Sequence, residues 1–146
     1  MTRIYVGTTL TEVGRWRDSG QIPAGTMCRA VTPEVVAALP DSDDEEREYA
    51  VTQLAAEDSL ERMPGSGDRL AVLVAEGADT EPAAGADDDP GLVRTRSTLA
   101  WREVAAILVE EGGGAGPEEP AGARSEELDL AWYAPRELDS LTRGDY

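Results

Sequence analysis

The chain has no histidine, no lysine, no asparagine and no phenylalanine among its 146 residues, and only one cysteine. Each absence removes a body of chemistry. Without His there is no Ser-His-Asp or Cys-His machinery and no imidazole to ligate a metal. Without Lys there is neither a phosphate-binding P-loop lysine nor an amine for Schiff-base catalysis. The lone Cys28 has no partner for an internal disulfide, so a reducing compartment, the cytoplasm, is expected. No apolar run approaches the length of a membrane-spanning helix. The strand-like opening Arg3-Ile-Tyr-Val6 lacks the apolar core of a signal peptide, so no secretory leader is expected.

What is present is acidic and aliphatic. Thirty Asp and Glu residues face thirteen basic ones, all Arg, for a net charge of −17. A surface of that sign repels phosphate backbones and anionic lipid, which argues against nucleic-acid and membrane binding and favours a basic protein partner. Hydrophobic residues make up 40% of the chain but aromatic ones only 5%, so the core rests on Leu, Val, Ile and Ala. The length suits one domain, 1–146.

The longest helical pattern runs from Ser42 to Met63. Ser42 and Glu45 have capping-box spacing, and Asp43 to Glu46 place negative charge at the positive end of the helix dipole. Tyr49, Thr52, Ala56, Ser59, Leu60 and Met63 recur at three- and four-residue intervals, which predicts an inward face, with Asp58 and Arg62 paired outside. Pro64-Gly65 ends the run.

Around it the chain reads as alternating elements. Arg3–Gly7 is a strand; Thr9 caps a helix over Leu10–Asp18 that Ser19-Gly20 terminates. Thr26–Val31 is a strand, and Thr32-Pro33 opens a short helix to Leu39. The continuous apolar run within Asp68–Ala75 predicts a central strand covered on both faces. Leu92–Thr98 reads as an exposed or edge strand with Arg94 and Arg96 on one side, Val104–Val109 as a strand or, given Ala105-Ala106, a short helix, and Leu128–Tyr133 as a strand with Leu128, Leu130 and Trp132 on one face. A last short helix follows Ala134-Pro135, with Leu138 and Leu141 inward. Residues 77–91 and 111–127 read as mobile loops. The fold class expected is α+β, a single domain with a mixed sheet of about five or six strands on the long helix and shorter helices.

Several motifs invite a function and fail on their chemistry. In Asp41 to Glu46 a calcium loop would need glycine where Glu46 stands and a bidentate acid where Thr52 stands. The glycine run 112–116 is flanked by Glu110, Glu111, Glu118 and Glu119, which no phosphate cradle tolerates. Cys28 lies in a strand with nothing to activate it and reads as a buried structural residue. No metal and no cofactor are expected.

Three resemblances add to this reading. Leu130-Ala-Trp-Tyr133 running to Glu137-Leu138 resembles the closing segment of Nudix hydrolases, but the chain has no Nudix box, so the segment reads as a strand entering a helix with Trp132 in the core. The opening Tyr5-Val-Gly-Thr-Thr9, with the helix and strand that lead to Thr32-Pro33-Glu34, resembles the start of ADP-ribosyltransferase-like domains. That resemblance implies NAD held by a His or Arg, an aromatic under the nicotinamide and a Glu against the oxocarbenium-like state. Val6 stands where the His would be. The Arg-Ser-Glu variant would draw on Arg3, Ser97-Thr98 and Glu111, and the candidate cofactor-binding residues are Arg3, Tyr5 and Arg94. It requires Arg3, Tyr5 and Glu110 or Glu111 to line one pocket.

The third resemblance covers most of the chain. Arg3-Ile-Tyr-Val-Gly-Thr-Thr-Leu10, Val31-Thr-Pro33, Glu48-Tyr-Ala50 with Ser59-Leu60, Arg69 to Val74 and Leu130-Ala-Trp-Tyr133 resemble a family of small acidic bacterial proteins carrying a domain of unknown function. Gly7-Thr8 replaces the family's Pro-Ala, and its His near Val109-Glu110 is missing. This implies a fold and no activity. With no complete catalytic set, the chain reads as a non-catalytic interaction or regulatory module; the alternative is a degenerate NAD- or nucleotide-binding fold of the transferase type.

Overall fold

The computed structural model describes residues 2–61, 69–83, 89, 91–110 and 130–138. Strand β1 (Thr2–Thr9) feeds directly into helix α1 (Leu10–Ser19). Thr9 caps α1 by accepting the Glu12 N–H, and Gly20, at φ 80°, closes it by donating to the Trp16 and Arg17 carbonyls. Short strands β2 (Gln21–Ile22) and β3 (Met27–Arg29) follow, then α2 (Pro33–Ala38), capped by Thr32, and α3 (Asp44–Glu61). The second half is β4 (Leu70–Ala78), β5 (Thr80–Pro82), β6 (Leu92–Thr95), β7 (Leu99–Ala100), a 3-10 turn at Trp101–Glu103, β8 (Val104–Glu110), β9 (Leu130–Tyr133) and a 3-10 turn at Pro135–Glu137.

Seven strands form one sheet in the order β5-β6-β3-β1-β4-β8-β9, while β2 pairs with β7 separately. The architecture is α+β. The sheet is larger than the five or six strands expected, and its pairings are antiparallel rather than mixed. β4 is the central, doubly covered strand: Leu70 to Ala75 are all buried. Period-two alternation sorts its side chains, and those of β1, onto two faces. Ile4, Val6, Leu73 and Ala75 join Val13 and Trp16 of α1, along with Ile22, Cys28 and Leu138. Tyr5, Val72 and Val74 join Val35 of α2 and Val51, Ala55 and Ala56 of α3. No helix among the described residues is long and apolar enough to cross a membrane.

The inward face of α3 keeps Ala56 and Ser59 of the face expected from periodicity but not Tyr49. Val51, Ala55, Ala56 and Ser59 are buried, whereas Tyr49 is 49% exposed. The helix is turned so that its smallest surface, around Ala55, meets the sheet, and a tyrosine there would hold it off. Asp58 accordingly points to the sheet and pairs with Arg29. The capping box also lies one residue later. Asp43 accepts the Glu46 N–H at 2.8 Å and Glu46 accepts the Asp43 N–H at 3.3 Å, because the Ser42 N–H is spent on the Leu39 carbonyl in the turn leaving α2.

Other boundaries move for tertiary reasons. β4 runs on to Ala78 and β5 lies within the segment read as a loop, since β6 offers it a pairing partner. β6 itself is therefore not an edge strand. Trp132, expected in the core, is 62% exposed: β9 is the outermost strand, and Trp132 sits opposite Leu108 beyond the area that α3 covers. Leu128, Arg62, Met63, Leu141 and the 111–127 segment lie outside the described residues.

Candidate functional site

The site is set by how α3 lies along β1. Eleven residue-to-residue steps of helix from Glu48 to Ser59, at ~1.5 Å each, and five of strand from Arg3 to Thr8, at ~3.3 Å each, both span about 16.5 Å. Contacts are made at both ends of that span. Ser59 Oγ donates to the Thr8 carbonyl at one end, and Glu48 accepts from Arg3 and Tyr5 at the other. Between them Gly7 lets the backbones touch: a Cβ there would stand 1.9 Å from the Ala55 carbonyl oxygen. No larger residue permits that approach.

Arg3 and Tyr5, two residues apart, share the α3 face of β1. Arg3 Nη1 donates to Glu48 Oε1 at 3.1 Å, and Tyr5 Oη donates to the same oxygen at 2.9 Å. Arg3 Nε and Nη2 both reach Glu76 Oε1 at 2.5 Å. The pairing of β1 with β4 shifts register between Thr2 and Ile4, an irregularity of the kind that re-aims a side chain. Burial, reinforced by the hydrogen bond to Glu48, pushes the Tyr5 phenol up to about 12. The hydrogen bond to Glu76 raises Arg3 further above its usual value, so this guanidinium is permanently charged.

Arg3, Tyr5 and Glu48 form the floor of a cleft of about 690 Å³ between the end of α2 and the first turns of α3. Its walls include Leu39, Ser42, Glu45 and Tyr49, and a smaller hollow against Val31 and Asp44 adjoins it across Tyr5 and Glu48. Arg47 fixes the wall by donating from Nε and Nη2 at 3.2 and 3.0 Å to the Leu39 carbonyl, which also accepts the Ser42 N–H at the end of α2. Asp44, Glu45, Glu46 and Glu48 oppose one arginine across the two hollows, leaving the lining net negative by three. Beside the cleft floor, Arg29 is held in two forks, by Asp58 at 2.7 and 2.8 Å and by Asp89 at 2.5 and 3.0 Å. Burial lowers its pKa, but the two carboxylates outweigh that and the net shift is upward. With its side chain 5% exposed, Arg29 is a tether for α3 rather than a ligand-binding group.

The structure brings together only part of the sequence-derived set. Arg3 and Tyr5 line one cleft. Arg94 lies on β6, two strands away, at the level of Met27, and bonds Glu81 at 3.1 Å. Glu110 lies at the opposite end of β4, past the level of Thr8, roughly 16 Å or more along the sheet from Arg3. Ser97 and Thr98 lie in the turn between β6 and β7, and Glu111 is outside the described residues. Glu48, Glu76 and Tyr49 complete the site; the sequence marks Tyr49 as an inward helix residue and Glu48-Tyr49 as part of a family motif, but gives none of the three a place in a site. Glu48 stands 43 positions from Tyr5 and 45 from Arg3, so no local spacing announces it. The one available signal was its place in the acidic first half of α3, beside an aromatic.

Among the described residues no group of three or more Cys, Asp or Glu is arranged to hold a metal. Cys28 is buried at the register position opposite Val93, in the core beneath α1. Comparison with curated proteins and with solved structures gave no match. Residues 2–142 match the model of DUF6912, a family of unknown function, and the chain belongs to that family.

Proposed function

We propose that the protein is a non-catalytic interaction module of the cytoplasm whose acidic cleft receives a basic segment of a partner protein. One observation carries this reading: a cleft of ligand-accommodating size and the hollow that adjoins it have a combined lining net negative by three, with the half-exposed ring of Tyr49 beside Glu45 and Glu48. A cationic side chain placed there gains charge-assisted hydrogen bonds from the carboxylates and a cation–π contact from the ring. The overall charge of −17 steers a basic partner toward the protein and speeds its encounter. A buried, single Cys28 is at home in a reducing compartment. A regulatory role follows if the partner's activity changes when its basic segment is held.

Titration of the isotope-labelled protein with a capped hexa-arginine peptide tests this. Amide shifts concentrated at residues 3–5 and 42–52, weakening with salt, are expected. Shifts spread evenly over the acidic surface, or none, refute it.

The NAD-binding alternative draws on Arg3, Tyr5 and a glutamate lining one cleft. The charge there weighs against it, because Arg3 is already matched by Glu48 and Glu76 and offers a pyrophosphate no uncompensated cation. Stabilisation of the protein by NAD in a thermal-shift assay would favour that reading instead.

A further inference from the structure

We infer that Arg3 is an internal stand-in for the partner's cationic side chain: the guanidinium on Glu48 belongs to the chain itself and is exchanged for an arginine of the bound segment. This rests on the reading of the cleft given above, and deepens it by naming the group that is read and what competes for it.

The geometry is that of an exchangeable occupant. Glu48 Oε1 accepts both Arg3 Nη1 and Tyr5 Oη, while no donor among the described residues reaches Glu48 Oε2. A second guanidinium therefore finds an acceptor before Arg3 has left. Arg3 has somewhere to go, since Nε and Nη2 are both held by Glu76, which is not among the residues lining either hollow. Releasing Nη1 from Glu48 leaves that second anchor intact. The exchange is also inexpensive. The side chains of Arg3 and Glu48 are 48% and 37% exposed, and ion pairs so placed contribute little because water screens them. Tyr5 keeps Glu48 in position throughout: its phenol, raised to about 12, remains a donor to Oε1 at any physiological pH. The resting protein thus carries a neutralised carboxylate in its cleft, which lowers its attraction for isolated cations and reserves binding for a segment that also reaches Glu45 and Tyr49.

The experiment is a calorimetric titration with capped hexa-arginine of the wild-type protein and of Arg3→Ala, Arg3→Gln, Arg15→Ala and Glu48→Gln. Arg15 lies on α1, across the sheet from the cleft, and is 72% exposed, so Arg15→Ala changes net charge by the same amount without touching the site. Arg3→Gln retains a long polar side chain and guards against a packing artefact. Both Arg3 variants are expected to bind about two- to fivefold more tightly than Arg15→Ala, the range an exposed ion pair supplies. Glu48→Gln is expected to bind more weakly than wild type. If the Arg3 variants bind no better than Arg15→Ala while wild type still binds at the cleft, Arg3 is no competitor and the inference falls, with the cleft reading intact. If neither wild type nor the Arg3 variants bind at the cleft, the cleft reading falls and takes the inference with it.

Discussion

Replacing Gly7 with alanine tests the contact on which the cleft depends. The added Cβ would meet the Ala55 carbonyl oxygen at 1.9 Å, its carbon at 2.9 Å and Asp58 Cβ at 3.0 Å. Two of these atoms are backbone, so no rotamer change relieves the clash. Restoring ordinary van der Waals distance requires α3 to retreat by about 1.5 Å from β1. That retreat loosens Val51, Ala55 and Ala56 against Val72, and stretches the Ser59 hydrogen bond to Thr8. Overpacking of this kind costs about 1–3 kcal/mol, and a backbone clash belongs at the upper end. Equilibrium unfolding in urea reads it directly. At about 2 kcal/mol per molar denaturant, a loss of ~3 kcal/mol lowers the midpoint by about 1.5 M. Gly14→Ala supplies the opposite control, because nothing lies within 4 Å of its Cβ position in α1 and alanine is the better helix former. Its midpoint should rise, by an amount equivalent to about 0.5–1 kcal/mol. A Gly7→Ala midpoint within about 0.3 M of wild type would show that α3 does not press on β1 at this residue.

Two further outcomes follow from the charged groups. Tyr5 ionises near 10 when unfolded and near 12 when folded, so between those values the unfolded state has lost a proton that the native state keeps. Stability should then fall as pH rises through that window, by about 3 kcal/mol in all, and Tyr5→Phe should flatten this part of the stability–pH curve; parallel curves for the two proteins would count against the Tyr5–Glu48 bond. Arg29→Leu strands Asp58 and Asp89 without their cation and should cost about 2–4 kcal/mol, less than a fully enclosed pair because both carboxylates retain some solvent. Arg29→Leu combined with Asp58→Leu should cost clearly less than the sum of the single changes in chemical denaturation; strict additivity would mean the two do not interact.

Local grammar was legible in the sequence wherever the determining atoms are neighbours. Thr9 and Gly20 bracket α1, Thr32-Pro33 opens α2, and the unbroken apolar run of β4 marks the centre of the sheet. The errors came where a partner remote in sequence decides. Periodicity alone placed Tyr49 inward with Ala56 and Ser59, because a stripe through Val51 and Ala55 reaches the same Ser59 with equal regularity and nothing local ranks the two. The choice is made by Gly7, whose missing side chain rewards the smaller stripe with a closer approach. Trp132 was assigned to the core for its size, yet burial at that position depends on which strand is outermost, a property of strand order that alternation does not encode.

The same distinction explains why only half of the site was visible. Arg3 and Tyr5 lie on one strand at a spacing of two, so the pleat alone puts them on one face. Glu48 and Glu76 reach them from α3 and β4, and their arrival depends on the length match between helix and strand and on the contact at Gly7. The transferase-like reading sought its glutamate near the end of β8, but the register of β8 on β4 carries Glu110 to the wrong end of the sheet. The carboxylate that does arrive changes the chemistry. An arginine and a tyrosine beside an uncharged wall would make an anion site; bound to Glu48 and Glu76 and faced by Glu45, they form the floor of an acidic cleft. The sign of the cleft is thus set by residues that only the tertiary fold brings to Arg3.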